Sequence, residues 1–217
     1  DVAAVKAQLQ QEAAVVRSSA QDLSPLLYGF HAQDTQILES VRLELIRIYT
    51  LGITAFDPAS LKSGIAESHA ALSGIKAVLV PFLEQHSPHA DSVAYYLDGS
   101  IRYLEANTDF DTFDRLYFLT KLALPLQRNT GALIREMQLL HHTASEALNY
   151  EADHIFSPDA INIQAFSNGT ADSAVVQLGK RLFFETALSG NNKISCATCH
   201  KPEQHFSDAL AKSIGFD

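Results

Sequence analysis

From the amino terminus to about residue 150, apolar side chains return every three or four positions, and no stretch alternates apolar with polar residues as a strand would. Val2, Val5, Leu9, Ala13 and Val16 form one stripe, and Leu38, Val41, Leu45 and Ile48 form the next. Further stripes run through Ile65, Leu72, Ile75 and Leu79, then Val93, Leu97, Ile101 and Leu104, then Phe113, Leu116 and Leu124, and last Leu133, Met137, Leu140 and Leu148. A helix with one apolar face must bury it against another such face. The pattern therefore predicts an all-α fold built on an antiparallel bundle of about five or six helices. Asp34 is placed to cap the second helix, while Asp57-Pro58 and Ser87-Pro88 each set a capping side chain before a proline at the first helical position. Pro125 should kink or end a helix near its middle. With 47% hydrophobic and 19% charged residues, the chain can fill the core that such a bundle needs.

The periodicity fails between Glu151 and Asp172, where Ser157-Pro158-Asp159 and Ser167-Asn168-Gly169-Thr170 are runs of turn formers. The expected organisation is a helical bundle over 1–155, a linker over 156–172 and a shorter unit over 173–217. In that unit a helix from Ser173 to Phe184 leads into the loop Leu188-Ser189-Gly190-Asn191-Asn192. The loop delivers the two cysteines of the chain.

Both cysteines lie in one pentapeptide, Cys196-Ala197-Thr198-Cys199-His200, so they form one device and not a disulfide framework. Covalent attachment of haem needs two thiols on one helical turn, placed to add to two vinyl groups on the porphyrin, followed at once by an imidazole that can reach the iron. Cys196, Cys199 and His200 meet that need in order, which makes them the cofactor-binding residues of a c-type haem, with His200 as the proximal iron ligand. A second-shell carbonyl would fix the imidazole tautomer. Three other readings compete. A chance match is improbable from composition alone. A zinc site would need a second ligand pair, and His205 with Asp208 is a poor one. A thioredoxin-like redox pair would need a strand and helix around it that are absent.

The flanks add a resemblance. Leu178-Gly179-Lys180-Arg181-Leu182-Phe183-Phe184-Glu185, Leu188-Ser189-Gly190, Ile194-Ser195 before the cysteines, Lys201-Pro202 after them, and Phe206-Ser207-Asp208 resemble the opening of the bacterial di-haem cytochrome c peroxidase family. The helical stretch Leu45-Ile46-Arg47-Ile48-Tyr49-Thr50-Leu51-Gly52-Ile53-Thr54 is more loosely similar to a leader region before the haem domains in one branch of that family. The resemblance implies that Cys196 and Cys199 carry the thioethers of the first, amino-terminal haem and that His200 is its proximal ligand. It further implies reduction of hydrogen peroxide to water in the periplasm, with electrons reaching a second haem from a small cytochrome c or copper protein. This sequence has a single attachment motif and ends 17 residues after His200. The expectation is the truncated start of a cytochrome c-like haem domain, loosely packed after about Asn168 and without peroxidase turnover of its own, and a second haem beyond the end of this chain.

A formal net charge of -9 with no Lys/Arg run argues against nucleic acid and suits a basic electron-donor protein. No apolar stretch approaches the roughly 18 residues that a membrane span requires. His142 with Glu146 has the i, i+4 spacing of a helical metal pair beside His141, although a solvated helix face accounts for it. His86 and His89 read as loop residues, His205 as a surface residue near the motif, and Met137 as core packing in preference to an axial thioether. Lys180 and Arg181 could neutralise haem propionates or simply face solvent. Tyr95, Tyr96, Tyr103 and Tyr117 fit helix packing. The functional expectation is a di-haem peroxidase-type oxidoreductase. The alternative is a helical docking module of a periplasmic redox system without catalysis of its own.

Overall fold

The computed structural model describes residues 2–54, 56–57, 60–84, 86–139, 147–149, 151–166, 172–210 and 213, and it divides into two compact units, Asp1–His142 and Thr143–Asp217. Among the described residues there are helices and isolated bridges but no extended strand, so the all-α class holds.

The first unit contains α1 (Val2–Gln21), α2 (Leu23–Leu26), α3 (Asp34–Arg47), α4 (Gly64–Leu83), α5 (Pro88–Ala106), α6 (Arg115–Phe118) and α7 (Leu124–Glu136). One π turn, Ile48–Gly52, extends α3, and another, Leu119–Ala123, joins α6 to α7. The pairs α4 with α5, α5 with α7, α7 with α3 and α3 with α4 close a four-helix bundle. Its core draws on the stripes of α3, α4 and α5, in which Leu38, Leu45, Leu72, Leu79, Val93 and Leu97 are wholly removed from solvent, whereas Leu116, expected in the next stripe, is 72% exposed. Burying each such side chain contributes roughly 1.5–3 kcal/mol, which outweighs the modest helix preference of the segments themselves.

Four local expectations need correction. The stripe on α1 is helical, but none of its residues is buried, and Val2 is 87% exposed. Periodicity identifies an apolar face without stating that anything covers it. Asp34 lies in the first turn of α3 and does not cap it; the Gln36 side chain accepts the Gln33 backbone N–H at 2.9 Å instead. Asp57 starts no helix, since α4 begins at Gly64 and the Asp57 carboxylate pairs with Arg47 at 3.1 Å; Pro58 lies outside the described residues. Pro125 neither ends nor splits the helix. It stands in the first turn of α7, directly after the wider π turn, where the missing N–H is tolerated. Ser87 does cap α5, accepting the Ala90 N–H at 3.1 Å, with Pro88 as the first helical residue.

Two residues, Arg115 and Gly52, shape the bundle's connections. Arg115 donates from Nε to the Ile53 carbonyl at 2.6 Å and from Nη2 to the Phe110 carbonyl at 2.9 Å, while its guanidinium lies 4.4 Å from the Phe110 ring centre. Gly52 lets α4 approach the π turn, because a Cβ there would sit 2.7 Å from the buried Ser68 hydroxyl oxygen.

In the second unit Leu148 and Ile161 form an antiparallel bridge, and the backbone N–H of Asn149 donates to Ala160 at 2.9 Å. The first part of the stretch rich in turn formers is thus a self-bonded loop; Ser167 to Thr170 lie outside the described residues. Beyond it come α8 (Ser173–Phe184), α9 (Cys196–Cys199) and two short 3-10 turns, Thr186–Leu188 and Pro202–Gln204. The span of α8 is the one its sequence pattern predicts. Asp172 caps it by accepting the Val175 N–H at 2.8 Å, and none of its residues is buried.

Candidate haem-attachment site

The loop before the cysteines is held by short polar side chains. Ser189 donates from Oγ to the Thr186 carbonyl at 2.9 Å and accepts the Ile194 N–H at 3.3 Å, while the Asn191 side chain accepts the Lys193 N–H at 3.0 Å. Bonds of this kind replace the ladder that an irregular segment lacks. They bring the chain to Ser195 in extended geometry, and Thr198 Oγ1 then accepts the Ser195 N–H at 3.0 Å. That reciprocal Ser-x-x-Thr arrangement starts the single turn α9. The signal for this cap is also present in the sequence, since Ser195 stands three residues before Thr198.

On that turn Cys196 is exposed and Cys199 half-buried, both as free thiols. His200 follows immediately, its backbone N–H donating to the Cys196 carbonyl at 2.9 Å, so all three residues are brought together within one turn and its cap. The His200 side chain is exposed, and its Nδ1 lies 3.1 Å from the Phe206 carbonyl oxygen. A carbonyl only accepts, so in this contact Nδ1 is the donor. This is the second-shell carbonyl that the sequence could anticipate without naming. The donor set fits haem: two thiols that can add to vinyl groups, and one imidazole whose outer nitrogen can bind iron.

Around this turn, Lys201 and Ser207 form an antiparallel bridge, and Phe206 packs edge-on against Phe183 of α8 with ring centres 6.1 Å apart. Asp208 accepts the Leu210 N–H at 3.0 Å, and this bond, with the Ser213 side chain and the Lys201 charge, lowers its carboxyl pKa. His205 and Asp208 complete no metal shell, and no group of three His, Cys, Asp or Glu able to hold a metal ion occurs among the described residues. Lys180 and Arg181 are exposed on α8.

The remaining candidates are dispersed in the first unit. Met137 packs against the bundle core just past the end of α7, and His86 is an exposed loop residue 3.9 Å from Asp91. Tyr103 stacks on Tyr117 at 5.1 Å, and burial is the leading cause that raises its phenol pKa. His141, His142 and Glu146 lie outside the described residues.

Comparison with known proteins agrees with the motifs. The sequence model of the family described as di-haem cytochrome c peroxidase matches residues 173–217. A cytochrome-c peroxidase, IdrP2, of Denitromonas iodatirespirans is 47% identical over 55 residues, which are 25% of this chain and 15% of that protein. The methylamine utilization protein MauG of Methylorubrum extorquens is 51% identical over 41 residues, 19% of this chain and 12% of that protein. MauG of Paracoccus denitrificans is 47% identical over 53 residues, covering 22% of this chain and 14% of its own length. The chain thus spans about a seventh of the length of the relatives it matches. No solved structure matches. The resemblance that the motifs carry is shown for residues 173–217.

Proposed function

We propose that this chain binds haem c covalently through Cys196 and Cys199, with His200 as the proximal iron ligand, as part of a periplasmic di-haem peroxidase-type oxidoreductase. The observation that carries the reading is the turn itself: two free thiols three residues apart, and an imidazole at its end whose Nδ1 is already engaged. Each thiol S–H adds across a vinyl C=C, forming a C–S bond at one carbon and a C–H bond at the other, so attachment needs no oxidant or reductant. When bound, the haem iron supplies a redox centre at which hydrogen peroxide takes up two electrons and two protons to give two water molecules. What this chain contributes is the anchoring turn, the ligand nitrogen and the aromatic pair Phe183 and Phe206 beside it.

In this reading the helical part over 1–155 and the linker over 156–172 precede a haem domain that starts at residue 173, a second haem lies outside this chain, and a small cytochrome c or copper protein donates the electrons. Among the described residues no helix is long and apolar enough to cross a membrane. Expression with c-type maturation tests the proposal. A Soret band that survives acid-acetone extraction supports covalent haem, and peroxide-dependent oxidation of a reduced donor by the full-length protein supports the peroxidase assignment. Complete loss of the band on extraction would sink the haem reading.

A further inference from the structure

The stretch from Leu45 to Thr54, which the cysteine turn does not use, helps to build a recess in the helical unit. Where α3 passes into the π turn Ile48–Gly52, a hollow of 120 Å³ opens against α4, lined by Glu44, Arg47, Gly52, Asp57, Glu67 and Ser68. Single π turns within helices recur at functional sites. Three carboxylates share this lining with one guanidinium, so the recess is acidic. Each carboxylate has one oxygen engaged: Arg47 pairs with Glu44 Oε2 at 3.7 Å and Asp57 Oδ2 at 3.1 Å, and the Ser63 hydroxyl donates to Glu67 Oε1 at 2.6 Å. Their second oxygens take no hydrogen bond from a described residue. Ser68 is the buried end of the recess, 2% exposed, and its hydroxyl has no hydrogen-bond partner. Gly52 beside it carries no side chain to cover that oxygen; a Cβ there would stand 2.7 Å from it. A polar group taken out of water and left unbonded is costly, and a ligand that bonds it recovers the loss.

We propose that the recess between the π turn and α4 binds a small, free primary alkylammonium cation, held by Glu44, Asp57 and Glu67 with Ser68 Oγ as the buried acceptor. The lining selects that class. Three acidic groups against one basic group repel an anion. Among the described residues no three His, Cys, Asp or Glu side chains stand close enough to hold a metal ion, so the carboxylates form no metal shell. An ammonium instead carries three N–H donors that point apart, and it can meet acceptors spread around a hollow. Its alkyl stem would lie against Ile48 and Ala71, which also line the recess. The volume suits a molecule of a few non-hydrogen atoms, since a water takes about 30 Å³ of the liquid. Arg47 keeps the Glu44 and Asp57 carboxylates in place without filling the hollow. The site belongs to the helical unit and does not rest on the haem reading.

The test titrates the whole chain with ethylammonium chloride at constant ionic strength, followed by 15N–1H NMR. Saturable shifts centred on the Gly52 and Ser68 amides are expected, and none with potassium or tetramethylammonium chloride, whose cations carry no N–H donor. Ser68→Ala removes the buried acceptor and should weaken ethylammonium binding about tenfold, the scale of a hydrogen bond to a charged group. The same variant should raise the urea midpoint of the ligand-free chain, because it deletes a desolvated hydroxyl that bonds nothing; a structural hydroxyl would give the opposite sign. Glu67→Gln keeps an acceptor for Ser63 but removes a charge, and should weaken binding severalfold while leaving the urea midpoint unchanged. Absence of saturable shifts at Gly52 and Ser68, equal shifts with tetramethylammonium, or undiminished binding by Ser68→Ala overturns the proposal. Tighter binding of N-acetyl-lysine amide than of ethylammonium overturns the assignment to a free amine and gives the recess to a lysine side chain.

Discussion

The four-helix bundle and α8 of the second unit treat their apolar residues in opposite ways. In the helical unit Leu72 of α4, Leu97 of α5 and Leu126 of α7 are at most 1% exposed, whereas on α8 of the second unit Val175, Val176 and Leu178 are each at least 55% exposed. Among these, α5 and α8 form for the same local reasons, a capping oxygen at the start and apolar residues at helical spacing. Asp172 caps α8 as effectively as Ser87 caps α5. The difference is burial. A helix can be specified by its own turn chemistry, while most of its stability comes from the surface that covers its apolar face. Within its unit α8 has the specification without the cover, and the cysteine turn beyond it is held by hydrogen bonds from Ser189, Asn191 and Thr198 and not by a core.

The comparison yields a series of tests. The largest effect belongs to the cysteine turn: Cys199→Ala should abolish one thioether, so that haem is lost on acid-acetone extraction or held by one bond, while circular dichroism of the bundle stays unchanged. Loss of most helical signal would show that the units are not separable in stability. In the bundle, Leu97→Ala should cost roughly 2–5 kcal/mol in urea unfolding, because a fully buried side chain leaves a cavity. Arg115→Ala removes charge-assisted bonds to the Ile53 and Phe110 carbonyls and should cost about 2 kcal/mol by the same measurement. Gly52→Ala should cost about 1 kcal/mol, since its Cβ drives the Ser68 hydroxyl aside and a serine side chain can turn. Leu178→Ala on α8 should change stability by no more than about 0.5 kcal/mol in the haem-free chain. A cost as large as that of Leu97→Ala would erase the contrast between the two units.

Much of the bundle was legible because its signals are local and repeated. The stripes through Leu38 to Leu45, Ile65 to Leu79 and Val93 to Leu104 lie on α3, α4 and α5, with Ile48 in the π turn that extends α3, and Ser87-Pro88 marks a helix start in both sequence and structure. The misreadings share a cause: Asp34, Asp57 and Pro125 each carry a residue type that suits a helix boundary, yet their roles depend on neighbours. Gln36 takes the cap at α3, Arg47 claims Asp57, and a π turn absorbs the proline. At the candidate site, the spacing of Cys196, Cys199 and His200 points to haem attachment without reference to any distant contact.

What the sequence determined by itself is the helical class, the span of α8 and the residue set that suits haem attachment, because periodicity, capping and a five-residue motif are properties of neighbours along the chain. Tertiary structure alone decided which apolar faces are covered, since α1 and α8 show stripes as plain as those of the bundle and bury nothing. It also decided which carbonyl meets His200. Phe206 is six residues away and is brought there only by a loop that closes on Lys201 through two left-handed residues, a geometry that depends on the folded contacts of Ser207 and Phe183 and that no local spacing records.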